Sequence, residues 1–514
     1  MSAIRAAVAR LAAAGLAAAT LVVALPSAAH AASPVDGAGS TWSQIAVDQW
    51  RADVASQGLT VNYQGVGSSA GRQFYINGQV DFAVSEIPFQ DGSAGGTNEI
   101  EAAKRRPYAY LPIVAGGTSF MYHLVVNGQR VTDLRLSPAT VARIFTGAIT
   151  NWNHAEIARE NPNRRLPNLA IKPVIRSDGS GTSAQFTAFM ASQTPDVWRA
   201  FCQRVGLGSS CPATSLYPPF PGSAAQQFSD GVANFVAAPY NNGAITYVEY
   251  GYAKERGFPV ASVLNKAGYF VQPTAQAVAI ALQGARFNPD GTQNLGNVYT
   301  FPDNRAYPVS SYSYMIVPTS VTDRFSREEG TTLGRFILYF LCAGQQKAEQ
   351  LGYSPLPKVL VENGFAAVRK IPGAPAPPPI AQCANPTITG NFITGASPPP
   401  PDDAKNTPGT TAPGSSGSGG GSGSGSGGGT GAGTGSGAGG DGTVVDGGVG
   451  VGDGGLGGDV VGDGSGAIAA SVRIPTDDEP LPLAVYVAAV LVVLAGVFGP
   501  PTLAAVMRRR KEIA

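Results

Sequence analysis

"AIKPVIRSDGSGTSAQFTAFM" (residues 170–190) joins a strand-like apolar run, a turn of glycine and hydroxyl residues, and an apolar rhythm with helical spacing. Phe186, Phe189 and Met190 fall on one face of the predicted helix, because residues three and four positions apart are neighbours on a helix surface. Thr182 or Ser183 is the expected N-cap, since a hydroxyl oxygen accepts a backbone N–H of the first turn. The stretch therefore predicts a strand, a tight turn and a helix in direct succession.

The turn of this stretch predicts a site for a small oxyanion. A nucleotide P-loop needs a lysine after its second glycine, and this turn has none. A helix start offers free backbone N–H groups and the positive end of the helix dipole, and glycine lets a ligand approach the backbone closely. Arg176 adds a planar guanidinium that can bind two oxygens of a tetrahedral anion, and we expect Asp178 to hold that guanidinium in place.

Two further turns have the same composition. "GAGSTW" (37–42) precedes an apolar set at helical spacing, and "GVGSSAG" (65–71) follows a strand-like run. Each turn taken alone is equally compatible with an ordinary capped helix. If the three turns converge, however, three helix starts surround one anion. Convergence of the turns is therefore what would make them a binding site.

The remainder of residues 32–392 predicts an α/β fold with mostly parallel sheets. Apolar runs of strand length alternate with segments of helical periodicity, as they do in folds built from strand–helix–strand units. Ligands of such folds bind beyond the carboxyl ends of the strands. The predicted strands include 59–66, 122–127, 170–175, 244–250 and 313–317, and the predicted helices include 42–54, 138–147, 184–191 and 333–351.

The amino terminus has the features of a signal peptide over residues 1–31. Arg5 and Arg10 precede an apolar stretch, and Ala29-His30-Ala31 is the small-x-small pattern after which a signal peptidase cuts. A signal anchor is the alternative. We expect cleavage and an exported mature chain.

The carboxy-terminal part predicts a disordered tether followed by a membrane anchor. Residues 393–480 are rich in Pro, Gly and Ser, and a flexible chain of about 80 residues has a mean reach of roughly 50 Å. The aspartates of this segment are spaced too irregularly for a good match to a calcium-binding repeat array. Residues 481–507 are almost wholly apolar and long enough for a transmembrane helix, with a buried core helix as the alternative. The basic tail 508–514 would stay cytoplasmic, so the folded part would lie on the extracytoplasmic side of the cell membrane.

The four cysteines indicate disulfides rather than a metal site. All four lie in the part expected to be exported, and among three possible pairings the shortest loops favour Cys202 with Cys211 and Cys342 with Cys383. The sequence has no CxxC or Cys/His metal spacing, so we expect no metal and no cofactor. The net charge is only +1 and the longest basic run, residues 508–511, lies at the carboxy terminus, which argues against nucleic acid as a partner.

Six separated segments resemble, in the same order, the signature segments of the phosphate-binding protein (PstS) family of the phosphate-specific ABC transporter. They are "GAGST", "VNYQGVGSSAG", "VDFAVSEIP", "IFTGAITNWNHAEIARENPNRRLP", "IRSDGSGTS" and "GAITYVEYGYAKERG". The resemblance spans roughly residues 35–365 and implies a two-lobed, type II periplasmic-binding-protein-like fold with a hinge. Lobe 1 would comprise 32–117 and 305–392, and lobe 2 would comprise 118–304. The implied protein is not an enzyme; its implied partners are inorganic phosphate and an ABC permease with its ATPase.

The resemblance also implies the ligand-binding residues. Thr41 and Trp42 would donate from the first turn, Trp42 through its backbone N–H, and Ser68 would donate from the second. The other lobe would close over the ligand with the residues of the third turn, which are Arg176, Ser180, Gly181 and Thr182.

Glu86 departs from the family pattern, which usually has an aspartate that accepts the proton of hydrogen phosphate at this position. Glutamate keeps the charge but places it one methylene, about 1.5 Å, further out, and hydrogen bonds span only about 3 Å. Either the backbone compensates, or Glu86 turns away and selectivity changes; a third interpretation is a solvated charge at the rim of the cleft. We expect phosphate binding to be retained.

Two other classes of function stay open. "GSSAG" (67–71) fits the G-x-S-x-G pattern of serine hydrolases, with Ser69 as the nucleophile, but the only candidate bases are His123 and His154 and neither lies late in the domain. A surface-displayed oxyanion receptor or adhesin without a transporter would share the fold and the tether.

Overall fold

A computed structural model of the protein describes residues 32–92, 97–208, 210–390, 392 and 404–406. The predicted signal peptide 1–31, membrane helix 481–507 and basic tail 508–514 lie outside these residues, and so does the predicted tether apart from 404–406. Within the described ranges, no helix combines the length and the apolar character that crossing a membrane requires.

Strands and helices alternate along the described chain. The strands are β1 Val35–Gly39, β2 Val61–Gly65, β3 Phe82–Ser85, β4 Tyr108–Tyr122, β5 Val125–Val126, β6 Gln129–Arg130, β7 Arg135–Leu136, β8 Lys172–Arg176, β9 Ala224–Gln226, β10 Ala244–Glu249, β11 Ser262–Leu264, β12 Phe270–Val271, β13 Arg286–Phe287, β14 Gln293–Asn294 and β15 Ser310–Pro318. The α-helices are α1 Gln44–Ala55, α2 Ser68–Ile76, α3 Glu99–Ala103, α4 Pro138–Phe145, α5 Ala155–Glu160, α6 Gly181–Gln193, α7 Pro195–Arg204, α8 Phe228–Ala237, α9 Tyr250–Glu255, α10 Ala275–Ala281, α11 Arg327–Leu341, α12 Lys358–Val368 and α13 Pro386–Thr389.

One sheet of eight strands runs through both halves of this region, in the order β2-β1-β3-β15-β4-β10-β8-β9. The 15-residue strand β4 changes partner midway, because it pairs with β15 as far as Gly117 and with β10 from Thr118 onward. The two halves of the sheet therefore belong to two lobes that share β4. This confirms the predicted two-lobed α/β fold.

The sheet is mixed, so the prediction of mostly parallel sheets is wrong at its centre. β1 pairs in parallel with β2 and β3, and β8 pairs in parallel with β9 and β10. The two long strands β4 and β15 are antiparallel to each other, and they are also antiparallel to their outer neighbours. The alternation of strand-like and helical runs does not reveal the direction of a strand, and β15 returns along Tyr108–Gly117 of β4 in the opposite direction.

The sequence pattern does not predict β4, because Pro112, Gly116 and Gly117 interrupt its apolar run. β4 ends at Tyr122, and of the predicted strand 122–127 only Val125–Val126 is a further strand. The predicted helix 333–351 begins earlier, at Arg327, where Ser326 and Glu329 form a capping box. It ends at Leu341 and is followed by a 3₁₀ turn over Ala343–Lys347.

Aromatic side chains pack the helices against the sheet and against one another. Trp50 of α1 stacks on Phe340 of α11 with ring centroids 5.1 Å apart, and its indole N–H donates to the Gly344 carbonyl at 2.9 Å. In the other lobe Phe186 of α6 packs on Tyr247 of β10 at 4.8 Å. With their apolar faces held in this way, α1 and α6 keep their first turns in fixed positions.

Two disulfides join Cys202 to Cys211 and Cys342 to Cys383, the pairing with the shortest loops. The first closes the loop that follows α7. The second ties the end of α11 to the chain beyond α12.

Gly71 of α2 lies against the backbone of β1, and a Cβ there would come 2.3 Å from the Cα of Gly39. Gly71→Ala is expected to lower the free energy of unfolding by about 1–3 kcal/mol, the usual cost of overpacking. Gly231 of α8 is the matched control, since its Cβ would have 3.5 Å to the nearest atom. Gly231→Ala is expected to raise stability by about 0.5–1 kcal/mol, because alanine favours the helix. Chemical denaturation measures both free energies of unfolding. Changes of the same sign in the two variants would contradict the close packing of Gly71 against β1.

Glu249 is fully buried at the end of β10, beside the point where β4 changes partner. Burial raises the pKa of its carboxyl well above the usual 4.5, and this effect outweighs the hydrogen bond that Oε2 accepts from the Gly251 N–H at 2.8 Å. Because the folded-state pKa is raised, the carboxyl contributes its full stability below about pH 4.5. That contribution is lost as the pH rises through the folded-state value.

Glu249→Gln is therefore expected to match the wild type in thermal stability near pH 4.5 and to exceed it increasingly towards pH 8. The neutral amide keeps an oxygen for the Gly251 N–H but has no proton to lose. Parallel thermal unfolding curves across this pH range measure the difference between the two proteins. A difference that does not grow with pH would contradict a raised pKa of the Glu249 carboxyl in the folded protein.

Candidate ligand-binding site

The three glycine-and-hydroxyl turns meet at the seam between the lobes. The N–H of Gly181 donates to Ser68 Oγ at 3.1 Å, which joins the start of α6 to the start of α2. Nη2 of Arg176 donates to Thr41 Oγ1 at 3.1 Å, which joins the end of β8 to the turn before α1. All four residues are buried or nearly so. The structure thus brings together the residues that the sequence placed in three separate segments.

Glycine makes this close approach possible. A Cβ on Gly181 would lie 2.0 Å from Glu86 Oε2, and one on Gly179 would lie 2.5 Å from the side chain of Ser69. Gly67 has a φ of 84°, and a Cβ there would lie 2.6 Å from Asp178 Oδ2. A larger residue at any of these positions would hold the turns of the two lobes apart.

Ser180 caps α6, so the prediction of Thr182 or Ser183 as the cap is wrong. Ser180 keeps an extended backbone and its Oγ accepts the Ser183 N–H at 3.2 Å, because the helix already begins at Gly181. The hydroxyl of Thr182 is buried and finds no hydrogen-bond partner among the residues that the structure describes. Ser180 can still donate its own proton, and Thr182 is a buried donor at the same helix start.

Asp178 holds the guanidinium of Arg176 as the sequence predicts. Nε of Arg176 donates to Oδ1 at 2.7 Å and Nη2 donates to Oδ2, so the pair is bidentate. Oδ1 also accepts the N–H of Phe228 at 2.9 Å. The guanidinium is thereby fixed with its other edge directed at Thr41 and Ser229.

Ser229 in the first turn of α8 is a site residue that the sequence analysis misses. Its N–H donates to Thr41 Oγ1 at 3.2 Å, its Oγ lies 3.0 Å from the same atom, and Nη1 of Arg176 donates to it at 3.3 Å. The preceding Phe228 has a φ of 62°, a strained conformation for an aromatic residue that aims Ser229 at Thr41. The turn before α8 has no glycine-and-hydroxyl pattern; the only available signal is a serine at a helix start just after a strand.

Two tyrosines orient the backbone of the first turn. The hydroxyl of Tyr252 donates to the Thr41 carbonyl, and that of Tyr353 donates to the Trp42 carbonyl at 2.6 Å. Burial raises the pKa of both phenols well above 10, so both remain donors at neutral pH. The carbonyl of Thr41 and the N–H of Trp42 point in opposite directions because they share one trans peptide. Tyr252 therefore sets the direction of the Trp42 N–H.

Glu86 lies inside this cluster, with only 1% of its surface exposed. Oε2 accepts the Ser68 hydroxyl at 2.7 Å, and Oε1 accepts the hydroxyls of Ser313, at 2.9 Å, and of Ser40. A buried charge is tolerated when hydrogen bonds replace its hydration, and three hydroxyls do so here. The interpretation of Glu86 as a solvated rim charge is therefore wrong, and the side chain faces the start of α6.

The hydrolase hypothesis finds no support in the hydrogen bonding of its candidate residues. Ser69 Oγ donates to Ser215 Oγ at 3.2 Å, Nδ1 of His123 lies 3.0 Å from the Val236 carbonyl, and His154 caps α5. Neither histidine is hydrogen-bonded to Ser69 within the described part of the chain. Among the same residues, no group of three or more His, Cys, Asp or Glu side chains is arranged to hold a metal ion.

Comparison with known sequences gives consistent matches. A family model described as a PBP superfamily domain matches residues 26–343. The chain is 31% identical over 340 residues to the phosphate-binding protein PstS of Xylella fastidiosa (strain Temecula1), which covers 66% of this chain and 86% of the relative. It is 30% identical over 337 residues to the phosphate-binding protein PstS of Pasteurella multocida (strain Pm70), which covers 65% of this chain and 89% of the relative.

The fold is similar to that of a solved high affinity periplasmic phosphate-binding protein (PfluDING) bound with phosphate. The TM-score is 0.51 at 20% sequence identity, over 65% of this chain and 93% of the other. At this level of identity the similarity concerns the fold alone.

Proposed function

The chain belongs to the PstS family of phosphate-binding proteins, and on this premise we propose that it captures inorganic phosphate between its two lobes and delivers it to an ABC permease. The observation that carries the proposal is the contact of Arg176 from one lobe with Thr41 from the other, among buried helix starts. Members of the family are binding proteins of transporters and not enzymes. We therefore assign no catalytic residue.

We propose that the anion is held by N–H and O–H donors from four turns and by the outer edge of one guanidinium. Backbone N–H groups at helix starts and small hydroxyls are good donors to an oxyanion, and the helix dipoles add to the attraction. The donors are Thr41, the N–H of Trp42 and Ser68 from lobe 1, and Arg176, Ser180, Gly181, Thr182 and Ser229 from lobe 2. Asp178 orients Arg176 and does not contact the anion in this arrangement.

Glu86 is the one proposed acceptor in the site, and the anion would have to bring a proton to it. Ser68 donates its only hydroxyl proton to Glu86 Oε2. If Ser68 turns that proton towards the anion, Oε2 loses a donor in a buried site, where an unpaired charge is costly. A proton on the anion restores the lost hydrogen bond. Hydrogen phosphate has such a proton, whereas sulfate does not.

Closure of the lobes is the proposed mechanism of capture. We divide the lobes at 32–117 with 305–392 and at 118–304, in the type II arrangement, so that the chain crosses between the lobes within β4 and again shortly before β15. Lobe 1 would take the anion first, and the closing of lobe 2 would add Arg176 and the start of α6. The closed form would then engage the permease and its ATPase.

The chain ends support a proposal about location. We propose that residues 1–31 direct export, that 481–507 cross the cell membrane once with 508–514 inside, and that 393–480 form the tether outside. A tether of about 80 residues reaches roughly 50 Å on average. It would keep the binding domain within range of a permease at a high effective concentration.

Arg176→Ala is expected to weaken phosphate binding by about 100-fold or more, because hydrogen bonds to charged groups contribute about 1.5–3 kcal/mol each. Isothermal calorimetry of the full-length chain with phosphate, sulfate and arsenate measures the change. Arg164→Ala is the matched control, since Arg164 pairs with Asp133 on the surface and is expected to leave affinity unchanged. Phosphate heats that survive Arg176→Ala would contradict the proposed site.

Deletion of residues 481–514 is expected to release the protein into the medium, because the proposed membrane helix is then missing. Fractionation of cells that produce either form checks this. Shortening the tether within 419–470 is the control, and this variant should stay with the membrane. Full-length chain recovered in the medium would overturn the proposed anchor.

A further inference from the structure

Glu86 accepts hydrogen bonds from two serines that have no proposed contact with the anion. Ser40, in the turn before α1, donates its hydroxyl to Oε1, and Ser313, on β15, donates to the same atom at 2.9 Å. Both serines are fully buried. Oε1 therefore has two hydroxyl donors, which matches the two lone pairs of a carboxylate oxygen.

The two oxygens of Glu86 differ in what they can still accept. Oε2 has one donor, Ser68, and lies against Gly181, where a Cβ would come within 2.0 Å of it. A group arriving at the start of α6 therefore meets Oε2, which retains a free lone pair, and not Oε1. The asymmetry comes from Ser40 and Ser313 alone.

We propose that Ser40 and Ser313 are positioning residues for selectivity, which fix the longer glutamate so that Oε2 alone accepts the proton of a protonated oxyanion. The proposal rests on the proposed phosphate-binding function. Glutamate has one methylene more than the aspartate that the family usually has. Hydrogen bonds from the two serines to Oε1 stop the longer side chain from rotating its carboxylate. The backbone contributes as well, since the register of β15 against β4 shifts between Ser313 and Tyr314. Such bulges commonly redirect a side chain near a site.

The other hydrogen bonds of Ser40 and Ser313 leave the hydroxyl proton of each serine available to Glu86. The Ser40 oxygen accepts the Ser43 N–H at 3.3 Å, so its own proton is left for Glu86. Ser313 lies within reach of Ser43 Oγ, at 3.2 Å, and of Glu86 at 2.9 Å, and the shorter contact is to the charged partner. Without these two donors Oε1 would be unpaired in a buried site, and the carboxylate would turn to find other donors. A carboxylate that has turned no longer directs Oε2 at the anion, so the discrimination against sulfate becomes weaker.

The test is to measure the Kd of phosphate and the Kd of sulfate by calorimetry, on the full-length chain and on single and double variants of it. Ser40→Ala and Ser313→Ala are each expected to lower the ratio of the sulfate Kd to the phosphate Kd roughly tenfold, the effect of losing one hydrogen bond to a charged group. Ser311→Ala is the matched control on the same strand. Its buried hydroxyl finds no partner among the described residues, so the ratio should not change. Ser313→Thr restores a hydroxyl and should return the ratio towards that of the wild type.

Glu86→Gln separates selectivity from a role in folding. The amide no longer offers a charged acceptor, so the ratio should already be low, and adding Ser40→Ala or Ser313→Ala should change it no further. Thermal unfolding of each variant shows whether it is folded. The proposal is overturned if the serine variants lower only the melting temperature and keep the wild-type ratio, or if their effect on the ratio persists in the Glu86→Gln background. Failure of the wild type to bind phosphate would instead overturn the proposed function, and this inference with it.

Discussion

Two opposite charges, Arg176 and Glu86, are buried at the same seam between the lobes, and each must find all its hydrogen-bond partners inside the protein. Arg176 is paired with Asp178 through two hydrogen bonds, so that pair carries no net charge. Glu86 accepts hydrogen bonds from three hydroxyls. The cluster therefore has no excess of positive charge with which to attract an anion. Attraction has to come from oriented N–H and O–H donors, which explains why glycine and small hydroxyl residues dominate three of the four turns of the site.

The sheet places these donors at one location. β4 belongs to both lobes, and β1, β3 and β8 lead into turns that end at the seam between them. The four helix starts that meet there follow β1, β2, β8 and β9, in agreement with the rule that ligands of α/β folds lie beyond the carboxyl ends of strands. Rigid packing behind the helices keeps the turns in place, as Trp50 does for α1 and Phe186 does for α6. The strain at Phe228 lies at the same seam, where it directs Ser229 towards Thr41.

Hydrogen bonds from hydroxyls, rather than exposure to solvent, accommodate the carboxylate of Glu86. The carboxylate stays buried, and two serines that are remote in sequence fill the hydrogen-bonding positions of one oxygen. The same logic applies to the first turn, where hydroxyls of Tyr252 and Tyr353 set the direction of the peptides at Thr41 and Trp42.

The sequence by itself determined the features that depend on neighbours along the chain. These are the α/β alternation, the three turns, the pairing of Arg176 with Asp178 two residues away, and the disulfide pairs with the shortest loops. Only the tertiary structure decided which remote groups meet: β4 as a strand of both lobes, Ser229 against Thr41 across 188 residues, and Ser313 against Glu86 across 227. The physical reason is that helix and turn signals arise from local backbone and side-chain preferences. Contacts between residues far apart in the chain are set by the packing of the whole sheet, and no local pattern at Ser313 or Ser229 predicts them.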